Sequence, residues 1–332
     1  MINGINNLSE RKKVILMLSG LTVSALIVRL YVVMTAQIIT PDGVNYIENA
    51  KLIVSGDLRK MVDSSFFNLY PFFIVAFQKI FHNWETAGRM VSVFFGSIAV
   101  IPFFLLAREL INSRIALIAS LFYIISPRLV DYSSDVLREP AFWFFSITSL
   151  YFAWKGISQG KLLFIVLASL FVGMASFIRF EGAALVLIIL LWVIWLCIDR
   201  KIHTKKMLWM MFIFLISFPI IASPFLFVLK NTLGKWEFGH VGEKLPRLIL
   251  EQDTGKDLEL KPELFNITSH RFKAFWDMAT RHKYDLYLSE ILYKFAKSSH
   301  VIFFVLFLFG IIKRRALPYS KGEMPFLIWF GV

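Results

Sequence analysis

The sequence predicts an all-α polytopic membrane protein, a bundle of transmembrane helices with juxtamembrane helices in its first outer loop. Three observations carry this. Of 332 residues, 57% are hydrophobic and the mean hydropathy is +0.65, whereas soluble domains are about 45–50% apolar. Apolar runs close to the ~20 residues that a membrane-crossing helix needs recur along the chain. Lys and Arg fall in short clusters between those runs, as the positive-inside rule requires. The net charge of +13 is therefore spread over connectors, with no single basic face of the kind that binds nucleic acid.

The chain begins with Arg11, Lys12 and Lys13 ahead of an apolar run at 14–34. That run is too long for a signal-peptide core, and no small-residue cleavage site follows. It reads as an uncleaved first span with its N-terminus inside. Further spans are expected at about 89–107, 115–130, 141–155, 162–178, 183–198, 207–229 and 300–312. A ninth starts at Met324 and stops at Val332, so the sequence reads as cut inside a helix. With the N-terminus inside, the inner connectors hold Arg108 and Arg114; Lys155 and Lys161; Arg200, Lys201, Lys205 and Lys206; and Lys313, Arg314, Arg315 and Lys321. The outer connectors are then 35–88, 128–140, 179–182 and 230–299. Within 35–88, apolar residues from Tyr46 to Ile53 repeat at helical spacing. Tyr70 to Phe81 is a second apolar stretch, too short to cross and suited to the interface. In 230–299, Leu288, Ile291, Leu292 and Phe295 form the stripe of another interfacial helix. No internal repeat divides the chain, so 1–332 reads as one transmembrane domain with a polar outer insertion at 230–299. The single cysteine, Cys197, excludes an intramolecular disulfide. Asn266-Ile267-Thr268 is a glycosylation sequon on the outer side.

Soluble-enzyme motifs are missing: no Walker loop, no dinucleotide glycine pattern, no Gly-x-Ser-x-Gly and no His-Glu-x-x-His. The candidates for chemistry are carboxylates and arginines in the outer connectors. Asp42 lies in Thr40-Pro-Asp-Gly-Val-Asn-Tyr46, just past the first span. Pro-Asp-Gly is ordinary turn chemistry, or Asp42 is a working carboxylate at the membrane surface. The segment Ser126 to Pro140 holds Asp131, Asp135 and Glu139, which one continuous helix would set at i, i+4 and i+8 on one face. Arg128 and Arg138 are the expected compensating partners; the plain alternative is a solvated loop with a salt bridge. Arg179-Phe-Glu-Gly182 forms a tight outer turn, where Arg179 and Glu181 are a structural ion pair or line a polar cavity. Arg29, near the outer end of the first span, either snorkels or joins that cavity. Such a gathering suits a substrate with a lipid tail and a surface phosphate. Arginine clamps phosphate, and a carboxylate can deprotonate an attacking hydroxyl.

The order of elements resembles the GT-C glycosyltransferases that use polyprenyl- or dolichyl-phosphate sugars, especially the protein O-mannosyltransferase and aminoarabinose-transferase branch. The stretches that carry the resemblance are Asp42-Gly-Val-Asn-Tyr46, Asn68-Leu-Tyr-Pro71, Ala87-Gly-Arg89, Ser133-Ser-Asp-Val-Leu-Arg-Glu-Pro140 and Arg179-Phe-Glu-Gly182, within residues 10–200. The resemblance implies a GT-C bundle whose catalytic outer loop is 35–88. It implies Asp42 as the first-loop catalytic carboxylate and Asp135 or Glu139 as its second-loop partner. Arg89, Arg138, Arg179, Tyr46 and Glu181 would bind substrate and phosphate. A divalent ion, Mg²⁺ or Mn²⁺, would sit between Asp42 and Asp135 if one takes part. The donor would be a polyprenyl-phosphate sugar and the acceptor a protein, lipid or glycan. The setting would be a bacterial or archaeal cell membrane, with the site on its outer face. Two departures stand out: the family's acidic doublet is here Asp42-Gly43, and its Pro-Pro-Leu segment is Leu69-Tyr70-Pro71. The competing readings are a transporter or flippase of a lipid-linked or anionic substrate, and a non-catalytic scaffold. A transporter calls for charges along a path through the spans, whereas here they gather at one surface.

Overall fold

A computed structural model describes residues 2–36, 38–63, 68–198 and 204–233. All of these belong to one of the two compact units into which the chain divides. The expected spans at 300–312 and from 324, the insertion beyond Leu233, the stripe at 288–295 and the sequon at Asn266 lie outside the described residues.

Every described element is helical, as the sequence predicts. The long helix α1 (Ile2–Thr35) is followed by α2 (Pro41–Ser55), α3 (Leu58–Asp63) and α4 (Tyr70–Phe81). Next come α5 (Trp84–Ile98), α6 (Val100–Leu110), α7 (Ser113–Ile125) and α8 (Pro127–Ser134). The described part closes with α9 (Glu139–Gln159), α10 (Leu162–Ile178), a 3-10 turn (Phe180–Ala183), α11 (Ala184–Ile198) and α12 (Thr204–Leu233). Three helical stretches are long and apolar enough to cross a membrane: Lys12–Thr35, Trp84–Leu110 and Phe180–Ile198. A fourth follows if the bent pair α7–α8 is one span; Tyr70–Phe81, Leu162–Ile178 and Leu208–Ser223 are apolar but shorter. The chain is thus an integral, multi-pass membrane protein.

Local sequence explains where the helices start and stop. Asn83 and Asn112 cap α5 and α7, their side chains accepting from Thr86 N and Ile115 N at 2.9 Å in each case. The second expected span, 89–107, is longer than apolarity alone indicates and is jointed at Ala99. Pro102 explains the joint, since it cannot donate to the carbonyl four residues back. The third departs more. The expected run to residue 130 turns by 53° between Ile125 and Pro127. Ser126 there takes φ −61°, ψ 115°, the extended backbone favoured before proline.

The helix at the fourth expected span, α9, packs along α10 and against α5 and α6. Gly156 lets it close on α10, because a Cβ there would lie 2.4 Å from Ile165 Cδ1. Phe95 and Phe145 meet at a centroid distance of 5.4 Å, and Trp154 stacks on Trp192 at 5.5 Å. A second apolar cluster holds α1 to α6 and α7 through Leu21, Ala25, Phe104 and Ile124. Arg29 corrects the snorkelling expectation. It is 0% exposed, with its guanidinium 5.2 Å from the Tyr123 ring centroid and Nη1 donating to Ala25 O at 3.2 Å. A residue carried on the inward face of α1 has no route to the interface, so its charge stays with the aromatic face and a carbonyl.

Candidate active site

Where α1 ends and α2 begins, Thr40 caps the new helix by accepting from Gly43 N at 3.3 Å. This places Asp42 in the first turn of α2, where a carboxylate is favoured by the unpaired N–H groups and the helix dipole. Asp42 is exposed, while its neighbours Gly43, Tyr46 and Ile47 are buried. The turn chemistry and the working carboxylate are therefore compatible readings: the Pro-Asp-Gly unit starts a helix.

The acidic segment 131–139 is not one continuous helix, which corrects the single-face expectation. Asp131 is on α8, Asp135 is at its C-terminal boundary with φ −106°, ψ 172°, and Glu139 opens α9. The break has local causes. The Asp135 carboxylate accepts from Val136 N at 2.6 Å, competing with helix bonding as short polar side chains do, and Pro140 begins a new helix in its first turn. Opening the chain here sends Asp135 toward the first loop. Thr40 N points at its two oxygens at 3.4 and 3.3 Å. Asp135 is thereby brought to the N-terminus of the helix that carries Asp42. Asp131, exposed on α8, is not part of this contact.

The expected partners of the acidic residues change as well. Arg128 donates to the Tyr132 hydroxyl at 2.6 Å and lies over its ring at 4.7 Å, so it is not the counter-ion of Asp131. Glu139 is held instead by Arg179, in a close ion pair, and Arg179 Nη2 also bonds Glu181 Oε1 at 2.7 Å. Burial pulls the Arg179 guanidinium down, yet Glu181 and Glu139 outweigh it and hold the group above its ordinary value. Arg138 donates Nη1 to Ile178 O at 3.3 Å and sits 5.9 Å from the Tyr46 ring centroid. Its Nε, and Oε2 of Glu139, are buried without a hydrogen-bond partner. Burial pushes the Tyr46 phenol well up, with Arg138 opposing. Arg89 is the most enclosed of the three expected phosphate ligands at 5% exposure. It bonds Glu85 at 2.9 Å and Ala36 O at 3.2 Å, tying the end of α1 to α5.

Sequence reasoning assigned no part to the hydroxyls beneath this cluster. Tyr70 OH is 2.7 Å from Ser92 Oγ and 3.0 Å from Gly88 O. Ser92 donates to Leu137 O at 2.9 Å and accepts from Leu137 N at 3.2 Å. Tyr46 meets Tyr70 edge-on at 5.3 Å, and Asn68 Oδ1 accepts from Tyr70 N at 2.8 Å. The signal lay in Asn68-Leu-Tyr-Pro71, one of the stretches behind the resemblance.

Among the described residues no group of three or more His, Cys, Asp or Glu side chains gathers as a metal-ligand set. The Asp135 oxygens are instead engaged by backbone N–H groups. The described residues do not by themselves supply the ligand set of a divalent ion.

Fold and site together define a polytopic helical membrane protein with carboxylates and arginines gathered at one end of its bundle. Residues 68–226, just under half of the chain, match the family model described as dolichyl-phosphate-mannose-protein mannosyltransferase. This match bears out the resemblance to GT-C glycosyltransferases of the protein O-mannosyltransferase type. Curated proteins give no significant match. Among solved structures the chain is similar to the Saccharomyces cerevisiae protein O-mannosyltransferase Pmt1-Pmt2 complex bound to the sugar donor, at TM-score 0.47 and 15% identity. That similarity covers 66% of this chain and 33% of the other, so the chain spans about a third of that relative's length.

Proposed function

We propose that the protein is an inverting glycosyltransferase that moves a sugar from a polyprenyl-phosphate donor to an acceptor hydroxyl on the outer face of the membrane. The observation that carries this reading is the approach of Asp135 to the N-terminus of the helix bearing Asp42, with Arg138 nearby. Asp42, exposed at that helix end, takes the proton of the acceptor hydroxyl. The hydroxyl oxygen then bonds to the anomeric carbon as the carbon–oxygen bond to phosphate breaks, with inversion in a single displacement. Polyprenyl phosphate leaves with the bonding pair, and a guanidinium stabilises its growing charge.

Pairing among the arginines points to Arg138 for that task. Arg89 is ion-paired with Glu85, and Arg179 with Glu139 and Glu181. Arg138 makes no ion pair among the described residues and keeps an unpartnered Nε. The Glu139–Arg179–Glu181 group then serves as a fixed wall that orients Arg138. Asp135, held by backbone N–H groups, fixes the end of α2 and keeps the local field negative beside Asp42.

The test is transfer from a radiolabelled polyprenyl-phosphate sugar by the full-length protein, beginning with the mannosyl donor that the matched family is named for. Asp42→Asn should lower product formation by about 10²–10⁴ while membrane insertion is kept; wild-type turnover would remove Asp42 from the mechanism. Uptake of donor into vesicles with no covalent product would favour the transporter reading.

A further inference from the structure

The Asp42-Gly43 pair, where the resembling family has an acidic doublet, coincides with an unusually close approach. A Cβ on Gly43 would lie 3.0 Å from Val136 Cβ and 3.1 Å from Val136 O. From α5, a Cβ on Gly88 would lie 2.7 Å from Val136 Cγ1 and 3.0 Å from Cγ2. Val136 itself is 0% exposed. One valine therefore fills the space left by two glycines, one on α2 and one on α5. The next residue along, Leu137, has both its N–H and its C=O engaged by Ser92, and Tyr70 supports Ser92 from α4.

We propose that Val136 is a positioning residue: a wedge, seated against Gly43 and Gly88 and latched through Leu137 to Ser92, that sets Asp135 against the helix end carrying Asp42. Its geometry stands alone; its consequence for turnover rests on the glycosyl-transfer reading. Val136 directly follows Asp135, so any shift of the wedge moves that carboxylate relative to Thr40 and to Asp42. Interiors are close-packed and transmit such shifts, and a displacement of about 1 Å costs on the order of a hundredfold in rate. Gly43 then has a positive reason to be glycine, because a larger residue would meet the Val136 carbonyl, which cannot rotate away. The second acidic group of the site comes from the 135–138 turn.

Two readouts separate the wedge from the chemistry. The first uses full-length protein in membranes with Cys197→Ser, Thr40→Cys and Asp135→Cys, scored by disulfide formation. Cross-linking should be efficient in this background, fall several-fold when Gly88→Ala is added, and return when Val136→Ala makes room for the new methyl. The second uses transfer by variants that keep Thr40 and Asp135. Gly88→Ala should lower kcat on the order of tenfold or more, with donor KM nearly unchanged, and Gly88→Ala/Val136→Ala should recover most of it, the coupling expected of residues in contact. Gly43→Ala should not be rescued by Val136→Ala, because the carbonyl clash remains. Cross-linking indifferent to Gly88→Ala overturns the wedge, as does a double variant no better inserted or linked than the single one. Cross-linking that behaves as expected in a protein that transfers no sugar upholds the wedge and overturns the transferase reading.

Discussion

The two ends of α9 treat charge differently. Near its C-terminal end Lys155 bonds Glu109 of α6 at 2.6 Å, with Arg108 3.8 Å from the same oxygen. The backbone there is regular and α9 ends in Gly160 at φ 70°, an ordinary glycine stop. At the N-terminal end, Glu139 and Arg179 are paired, but Glu139 Oε2 and Arg138 Nε are buried without partners. The backbone from Asp135 to Arg138 has left the helix. Sixteen residues separate Glu139 from Lys155, about 24 Å of helix. A half-buried pair with its partner present needs no ligand to account for it. Buried polar atoms left open cost free energy and are the more informative observation, since each such group in a native structure calls for an explanation such as a ligand or a catalytic role.

The largest effect should come from the end with open groups. Asp42→Asn is expected to lower transfer by about 10²–10⁴, the usual contribution of a positioned base, without lowering the amount of inserted protein. Arg138→Ala should follow, with a loss in kcat on the order of 10²–10³ if it meets charge that develops in the transition state. Arg138→Lys should restore only part, since an ammonium lacks the planar fork. Arg179→Ala should act on stability first, because it leaves the part-buried Glu139 without its ion-pair partner; the expected cost is about 1–3 kcal/mol, read from the unfolding midpoint in detergent. The smallest effect should come from the other end. Glu109→Gln is expected to cost about 1 kcal/mol of stability or less and to leave kcat and donor KM as they were. A tenfold loss of transfer from Glu109→Gln would erase the contrast between the two ends.

The membrane-spanning architecture was legible because apolar length and basic connectors are composition-level signals, independent of tertiary contacts. Helices at 41–55 and 70–81 were legible by the same route, through periodicity and length. The meeting of the first outer loop with the 126–140 segment, seen in Thr40 N against Asp135, was expected from topology, which returns both segments to one side. What failed was the local backbone of 131–139, where periodicity read three carboxylates onto one helix. The Asp135 side chain and Pro140 overrode it, an effect visible only once the capping bonds are seen. The expected pairing of Arg128 and Arg138 with the acidic segment failed for a related reason: sequence neighbours such as Arg128 and Asp131 are not spatial partners, whereas Glu139 and Arg179, forty residues apart, are. Glycine at position 43 read as a departure until Val136 was found against it. Tyr70 and Ser92 gave no signal individually, because a buried hydroxyl in an apolar helix has no pattern of its own.

The central claim is that the start of α2 and the 135–138 turn share one site. Thr40 N, at the start of α2, lies 3.3 Å from an Asp135 carboxylate oxygen, so these two residues are neighbours across that junction. Thr40→Cys with Asp135→Cys, in a Cys197→Ser background, should form an intramolecular disulfide under mild oxidation, detected by mass spectrometry of the linked peptides. Two free thiols after oxidation in correctly inserted protein would contradict the account.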